Sequence, residues 1–169
     1  MPWANVEATM LIRRSESLYE GDREIAMADS NDLLKTVVEV LHDSNKGFVD
    51  IGEHITSPEL KSFFISEAQT RATFAKELAA TAGLSDSEIG GTAAAAVHRT
   101  WGDLKAKLGG GDHTLLETAE QGEDVAKKAY EAALGDTSVT GTVRALLQQQ
   151  QSHVLASHNK VKAYRDSSN

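Results

Sequence analysis

Cysteine is missing altogether from the 169 residues, which excludes disulfide scaffolds, thiolate metal sites and cysteine nucleophiles. Proline occurs twice and aromatic residues make up only 5 %, so little in the chain breaks a helix or favours a strand. No apolar run approaches the roughly 20 residues that span a bilayer, and the early Arg13 and Arg14 are followed by no apolar stretch or cleavage site. Basic residues are the minority, 17 Lys and Arg against 25 Asp and Glu, for a net charge of -8. That excess repels phosphate backbones and anionic lipid. Nucleic acid and a membrane span are therefore not expected, and a cytoplasmic location is. What is present, 40 % apolar and 25 % charged residues with abundant Ala, Leu, Glu, Lys and Gln, suits one helical globular domain.

Hydrophobic spacing divides the chain. Residues 1–30 hold a weakly amphipathic segment with Trp3, Val6 and Met10, read as a helical appendage. Asn31 and Asp32 supply cap-type side chains for a first helix to about Thr56, with Leu34, Val37, Leu41, Phe48, Ile51 and Ile55 on one stripe. Ser57-Pro58-Glu59 gives an N-cap, a first-turn proline and an acid at the positive end of the dipole. A second helix over 58–82 follows, carrying Leu60, Phe63, Phe64, Phe74 and Leu78 and closing at Gly83. A middle helix is expected over 92–108, ended by Gly109-Gly110-Gly111. Asp112 can cap a third long helix over 113–134 with Leu115, Leu116, Ala119, Ala126, Tyr130 and Ala133, and a fourth over 138–166 carries Val143, Leu147, Val154 and Val161.

Short turns make helices one and two, and three and four, antiparallel neighbours. The 28 residues from 84 to 111 join the two hairpins, and a middle helix of roughly 17 residues covers about 25 Å. The linker can therefore run the length of the bundle. One long crossover between two hairpins defines the ferritin-like antiparallel four-helix bundle, here expected over 31–166.

Metal and redox sites in such bundles use inward-pointing side chains, so polar residues on the apolar stripes are the candidates. Glu67 and Arg71 fall near the centre of the second helix's stripe, one turn apart. Glu123 falls on the third, with Glu120 and Lys127 at its edge; on the fourth Gln150 is central, flanked by His153 and His158. Unpaired ions on a buried face would each cost several kcal/mol, so these residues must find partners. The preferred reading is a buried polar network of Glu67, Arg71, Glu123, Gln150 and His158 that fixes helix register, with no cofactor. The alternative is a site of Glu67, Glu120, Glu123 and His158 for iron or another divalent metal. Against it, a di-metal bundle wants Glu-x-x-His on two helices, and the chain's one such motif, Glu39-x-x-His42, falls on a solvent face. Arg71 would also repel cations. Trp101 on the crossover is expected to pin it to the bundle, and His98 nearby has no catalytic partner that the sequence identifies.

The chain resembles a bacterial family of ferritin-like four-helix-bundle proteins catalogued as a domain of unknown function. The likeness runs from Asn31 to Asp166. It rests on Asn31-Asp32-Leu33, Pro58-Glu59-Leu60-Lys61, Arg71-x-x-Phe74-Ala75-x-Glu77-Leu78, His98-Arg99-x-Trp101-x-Asp103-Leu104-Lys105, Glu120-Gln121-Gly122-Glu123-Asp124 and His158-Asn159-x-Val161. The resemblance implies a ferritin-like fold without an established activity. Gln121 stands where the family usually has Arg, and Asn159 where it usually has Asp, which removes a natural partner for a metal-bound His158. The expected function is a non-catalytic structural or interaction protein, with a stress-related role among its expectations. A ferritin-like oxidoreductase or metal-storage protein is the alternative. Self-association as a homodimer is expected, through a helix hairpin or the segment from Trp3 to Leu11.

Overall fold

The computed structural model describes residues 30–86, Trp101 and 103–168. They form α1 (30–54), α2 (Pro58–Ala82), the short α3 (Leu104–Lys107), α4 (Gly111–Gly135) and α5 (Gly141–Ser167), with no strand among the described residues. Two core clusters fix their directions. Leu34, Val37 and Leu41 of α1 pack with Leu78 of α2, Tyr130 and Ala133 of α4 and Leu147 of α5. At the other end Phe48 and Ile51 pack with Leu60, Phe64, Leu115, Leu116 and Val161. Thus α1 and α5 run from the first cluster to the second, and α2 and α4 run back. Each hairpin is antiparallel, α2 and α4 are parallel, and the connection between them must traverse the bundle. Residues 87–100, with His98 and most of the helix expected over 92–108, lie outside the described residues, as do residues 1–29 of the expected appendage.

Several helix ends follow from single residues. Ser57 accepts the Leu60 N–H at 3.4 Å with Pro58 in the first turn of α2, and Gly83 closes that helix at φ 68°, a conformation in which a side chain would be strained. Other ends correct the sequence reading. Asn31 and Asp32 lie inside α1, where Asp32 pairs with Lys35 at 3.5 Å, so they cap nothing. Asp112 does not cap α4, which starts at Gly111 from a Gly110 cap without a side-chain bond. Its carboxylate instead accepts from the Thr56 N–H and hydroxyl, both at 2.8 Å, and from the Ser57 N–H at 3.2 Å. It thereby clips the α1–α2 turn to the start of α4. The final helix begins at Gly141 and not near 138, because Asp136 accepts from the Ser138 N–H (2.8 Å) and hydroxyl (2.6 Å) and holds those residues in a turn.

Trp101 packs edge-on against Phe48, centroids 5.7 Å apart, and borders both clusters. Its indole fills a notch between α1 and α4. A Cβ built on Gly47 would lie 2.3 Å from the ring, and one on Gly122 2.1 Å from it, so both positions must lack a side chain. The expected pin is therefore present, and two mid-helix glycines make room for it.

Candidate functional site

The polar layer lies between the two core clusters. Arg71 is 0 % exposed, held on α2 between Ala68, which belongs to one cluster, and Ala75, which belongs to the other. Its Nη2 donates to both oxygens of Glu123 on α4, at 2.8 and 3.0 Å, and to Glu67 Oε2 one turn back at 3.4 Å. The guanidinium carbon sits 5.5 Å from the centre of the Phe48 ring, a cation–π contact. Ser157 on α5 donates its hydroxyl to Glu123 Oε1. His153 Nε2 lies 3.1 and 3.0 Å from the two oxygens of Glu67. Three helices thus meet through one guanidinium and two carboxylates. Burial pushes the Glu123 carboxyl above its usual range, although the Arg71 charge and the Ser157 hydroxyl pull it back. Burial likewise raises the Tyr130 phenol.

Of the residues expected to share the site, Glu67, Arg71 and Glu123 come together. Gln150 and His158 do not join Arg71. Gln150 accepts from the Tyr130 hydroxyl at 2.9 Å and donates to the Phe74 carbonyl at 3.1 Å, one layer toward the first cluster. His158 faces Asp124 Oδ1 at 3.0 Å. Glu120 turns to Arg165, which also holds Asp166 at 2.7 Å. His42 is exposed as expected, but Glu39 is half-buried, with Oε2 enclosed, and so is not on an open solvent face.

Ser157 and His153 complete the cluster in ways sequence reasoning missed. Ser157 lies seven residues beyond Gln150, two turns along the same face; that periodicity was the available signal. His153 was readable only as one flank of the stripe, because its partner depends on how α2 and α5 are set lengthwise.

Glu120 faces Arg165, His158 faces Asp124, and Glu67 and Glu123 share Arg71, which already fills the space between the two inner carboxylates. Among the described residues no group of three or more His, Cys, Asp or Glu is arranged to hold a metal ion. The donor set does not fit a di-metal centre. Beside the cluster, α2 and α5 border an open groove of about 470 Å³, with Glu67, Ser157 and His153 at its inner side and Phe63, Lys160 and Tyr164 along it. The Lys160 ammonium stands 5.0 Å from the Phe63 ring centre.

Fold and site together define an all-α four-helix bundle with an ion cluster at its waist, buried at Arg71 and Glu123 and bordered by a groove at Glu67 and His153. Residues 29–136 match the model of a domain of unknown function, DUF2383. That span covers more than half of the chain, which therefore belongs to this family. It includes α1, α2 and α4 with Glu67, Arg71 and Glu123, and ends before α5. No curated protein matches the chain.

Proposed function

We propose that this protein is a non-catalytic structural or interaction protein of the cytoplasm, with ferritin-like connectivity, whose inner charges fix the register of the helices and do not bind metal. The observation that carries the reading is the position of Arg71. Its guanidinium lies at 2.8 Å from Glu123 and 3.4 Å from Glu67 with no exposure. A di-metal bundle brings free carboxylates from facing helices onto a shared dication. Here a permanent cation holds that position, and a second positive charge a few ångströms away would be strongly repelled in so dry an environment. The arrangement suits a specificity device. An ion triad that forms in only one alignment penalises every slipped packing, because slipping leaves buried charges alone.

The test is elemental analysis of protein purified without chelator, followed by iron(II) titration in the presence of oxygen. The expected result is no stoichiometric metal and no acceleration of iron oxidation over buffer. Stoichiometric iron, manganese or zinc that disappears in Glu123→Ala would replace this reading with the oxidoreductase or storage alternative.

A further inference from the structure

An arginine is a fork of N–H donors with no acceptor, and the ion pairs of Arg71 use one arm of it. Nη2 bonds to Glu123 and, at a longer distance, to Glu67. Nε and Nη1 are enclosed and have no hydrogen-bond partner, on a side chain with 0 % exposure. Buried donors without an acceptor are rare in folded proteins. The Phe48 ring beside the guanidinium takes a hydrogen bond far more weakly than an oxygen does. The waist around these donors is built from small residues. Ala68 and Ala75 flank Arg71 on α2, and Ala119 and Ala126 flank Glu123 on α4, each at spacings of three and four residues and each 1 % exposed or less. From α1, Asn45 donates to the Ala68 carbonyl at 2.7 Å, which sets the buried Ser44 beside the same turn of α2. Tyr130 gives its own proton to Gln150 and keeps the lone pairs of its oxygen, and the charges of Arg71 and Glu123 both act on that phenol.

We propose that the waist of the bundle is a hydration site, with one water held at Arg71 Nε, another at Nη1, and the hydroxyls of Ser44 and Tyr130 completing their bonds. Geometry requires both. The Nε and Nη1 hydrogens leave different edges of the planar guanidinium, so a single acceptor does not serve the two. Charge selects the ligand. Glu67 and Glu123 set two negative charges against one guanidinium, so a bound anion would deepen an excess of negative charge in a buried place. A cation would meet N–H groups pointing at it. Water does neither, and it offers lone pairs to the donors and hydrogens to the neighbouring oxygens. Buried waters make about three such bonds each, and these are nearly as favourable as direct ones. The groove between α2 and α5 supplies the route in. Glu67 and Ser157 line it and are both bonded to the cluster, so solvent in the groove stands one side chain away from the guanidinium. Once seated, such water is part of the structure and not bulk solvent. It joins the Arg71 layer to the Tyr130–Gln150 layer, which direct bonds leave apart.

The hydration site follows from donors left over once the ion pairs are made, and it stands whatever role the cluster serves. In the isotope-labelled full chain, the Arg71 Nε–H resonance, assigned through the bonds of its own side chain, is expected to give a nuclear Overhauser cross-peak to water with the sign of a molecule that tumbles with the protein. Crystals of the full chain grown with bromide in place of chloride are expected to show a density peak at each of the two nitrogens, without anomalous signal. Arg71→Met keeps the volume and has no donor, so both peaks should vanish in it; should that variant not fold, the two wild-type measurements decide alone. An anomalous bromide peak at either nitrogen would make this an anion site and overturn the proposal. So would an Nε–H without a water cross-peak, a Glu123 carboxylate found paired directly with Nε or Nη1, or peaks that persist in Arg71→Met.

Discussion

Two arginine–glutamate pairs tie α4 to its neighbours from positions three residues apart, and they differ in kind. Glu123 points inward to Arg71 of α2, with both side chains at 1 % exposure or less. Glu120 stands at the edge and meets Arg165 of α5, whose side chain is 28 % exposed and shared with Asp166. The outer pair is partly open to water, its Arg165 and Glu120 side chains 28 % and 13 % exposed, and salt screens it. Nothing replaces a partner of the inner pair, so its loss leaves a charge stranded in the core. The same chemistry, one turn of helix apart, is a constraint in one place and a surface contact in the other.

The largest effect is expected from breaking the inner pair. Arg71→Ala should lower unfolding free energy by about 3–5 kcal/mol in urea titration, because it leaves the buried Glu123 carboxylate without a cation and opens a void. Arg71→Met should cost less, since methionine refills the volume. Adding Glu123→Gln to Arg71→Met should recover part of the loss, with a coupling on the order of 1–3 kcal/mol. Additive losses would mean the two residues do not act as a pair.

A second substitution strikes between the two glutamates. Gly122→Ala would put a methyl group 2.1 Å from the Trp101 ring, forcing the indole out or α4 away from α1. A loss of about 1–3 kcal/mol is expected, with a shift of tryptophan fluorescence toward that of an exposed indole. Unchanged fluorescence would show that Trp101 does not depend on the notch.

Smaller still is the contribution of Asp112. Slight burial opposes its ionisation, but the bonds from Thr56 and Ser57 outweigh that and hold its carboxyl below the usual range. A group depressed in the folded state contributes stability above its unfolded pKa and loses it as pH falls through the folded value. Thermal melts of Asp112→Asn should therefore converge on wild type below the ordinary carboxylate range and fall short of it at neutral pH. A constant gap at all pH values would assign the effect to something other than this charge. The smallest effect belongs to the outer pair. Arg165→Ala should leave the urea midpoint unchanged at physiological salt, and a clear loss there would erase the distinction between the two pairs.

The inner pair was legible in the sequence because helical phase is a strong signal. Glu67, Arg71 and Glu123 lie on stripes otherwise made of Leu, Phe, Ala and Tyr, and charges do not sit there without partners. The topology was legible from connection lengths. Partner choice along the bundle axis was not: phase places Gln150 and His158 on or beside a stripe, but which residue stands level with them depends on where each turn ends. The three-residue difference at the start of α5, set by the Asp136 turn, illustrates the sensitivity. Two small residues carry a fainter signal. Gly47 and Gly122 break no periodicity, yet a glycine inside a long helix costs about 1 kcal/mol relative to alanine, and that cost is a sign that something large sits against it.

The notch of Trp101 also bears on the order of folding. Gly47 belongs to the first hairpin and Gly122 to the second, while the indole lies in the segment that links them. Neither hairpin alone offers the indole a seat, and each can form from contacts close in sequence, which come early and fast. The seat exists only after the hairpins have docked and Arg71 has been brought against Glu123, 52 residues away. Quenching or blue shift of Trp101 in stopped-flow refolding therefore times the closing of the bundle, and the connection becomes a latch that engages last.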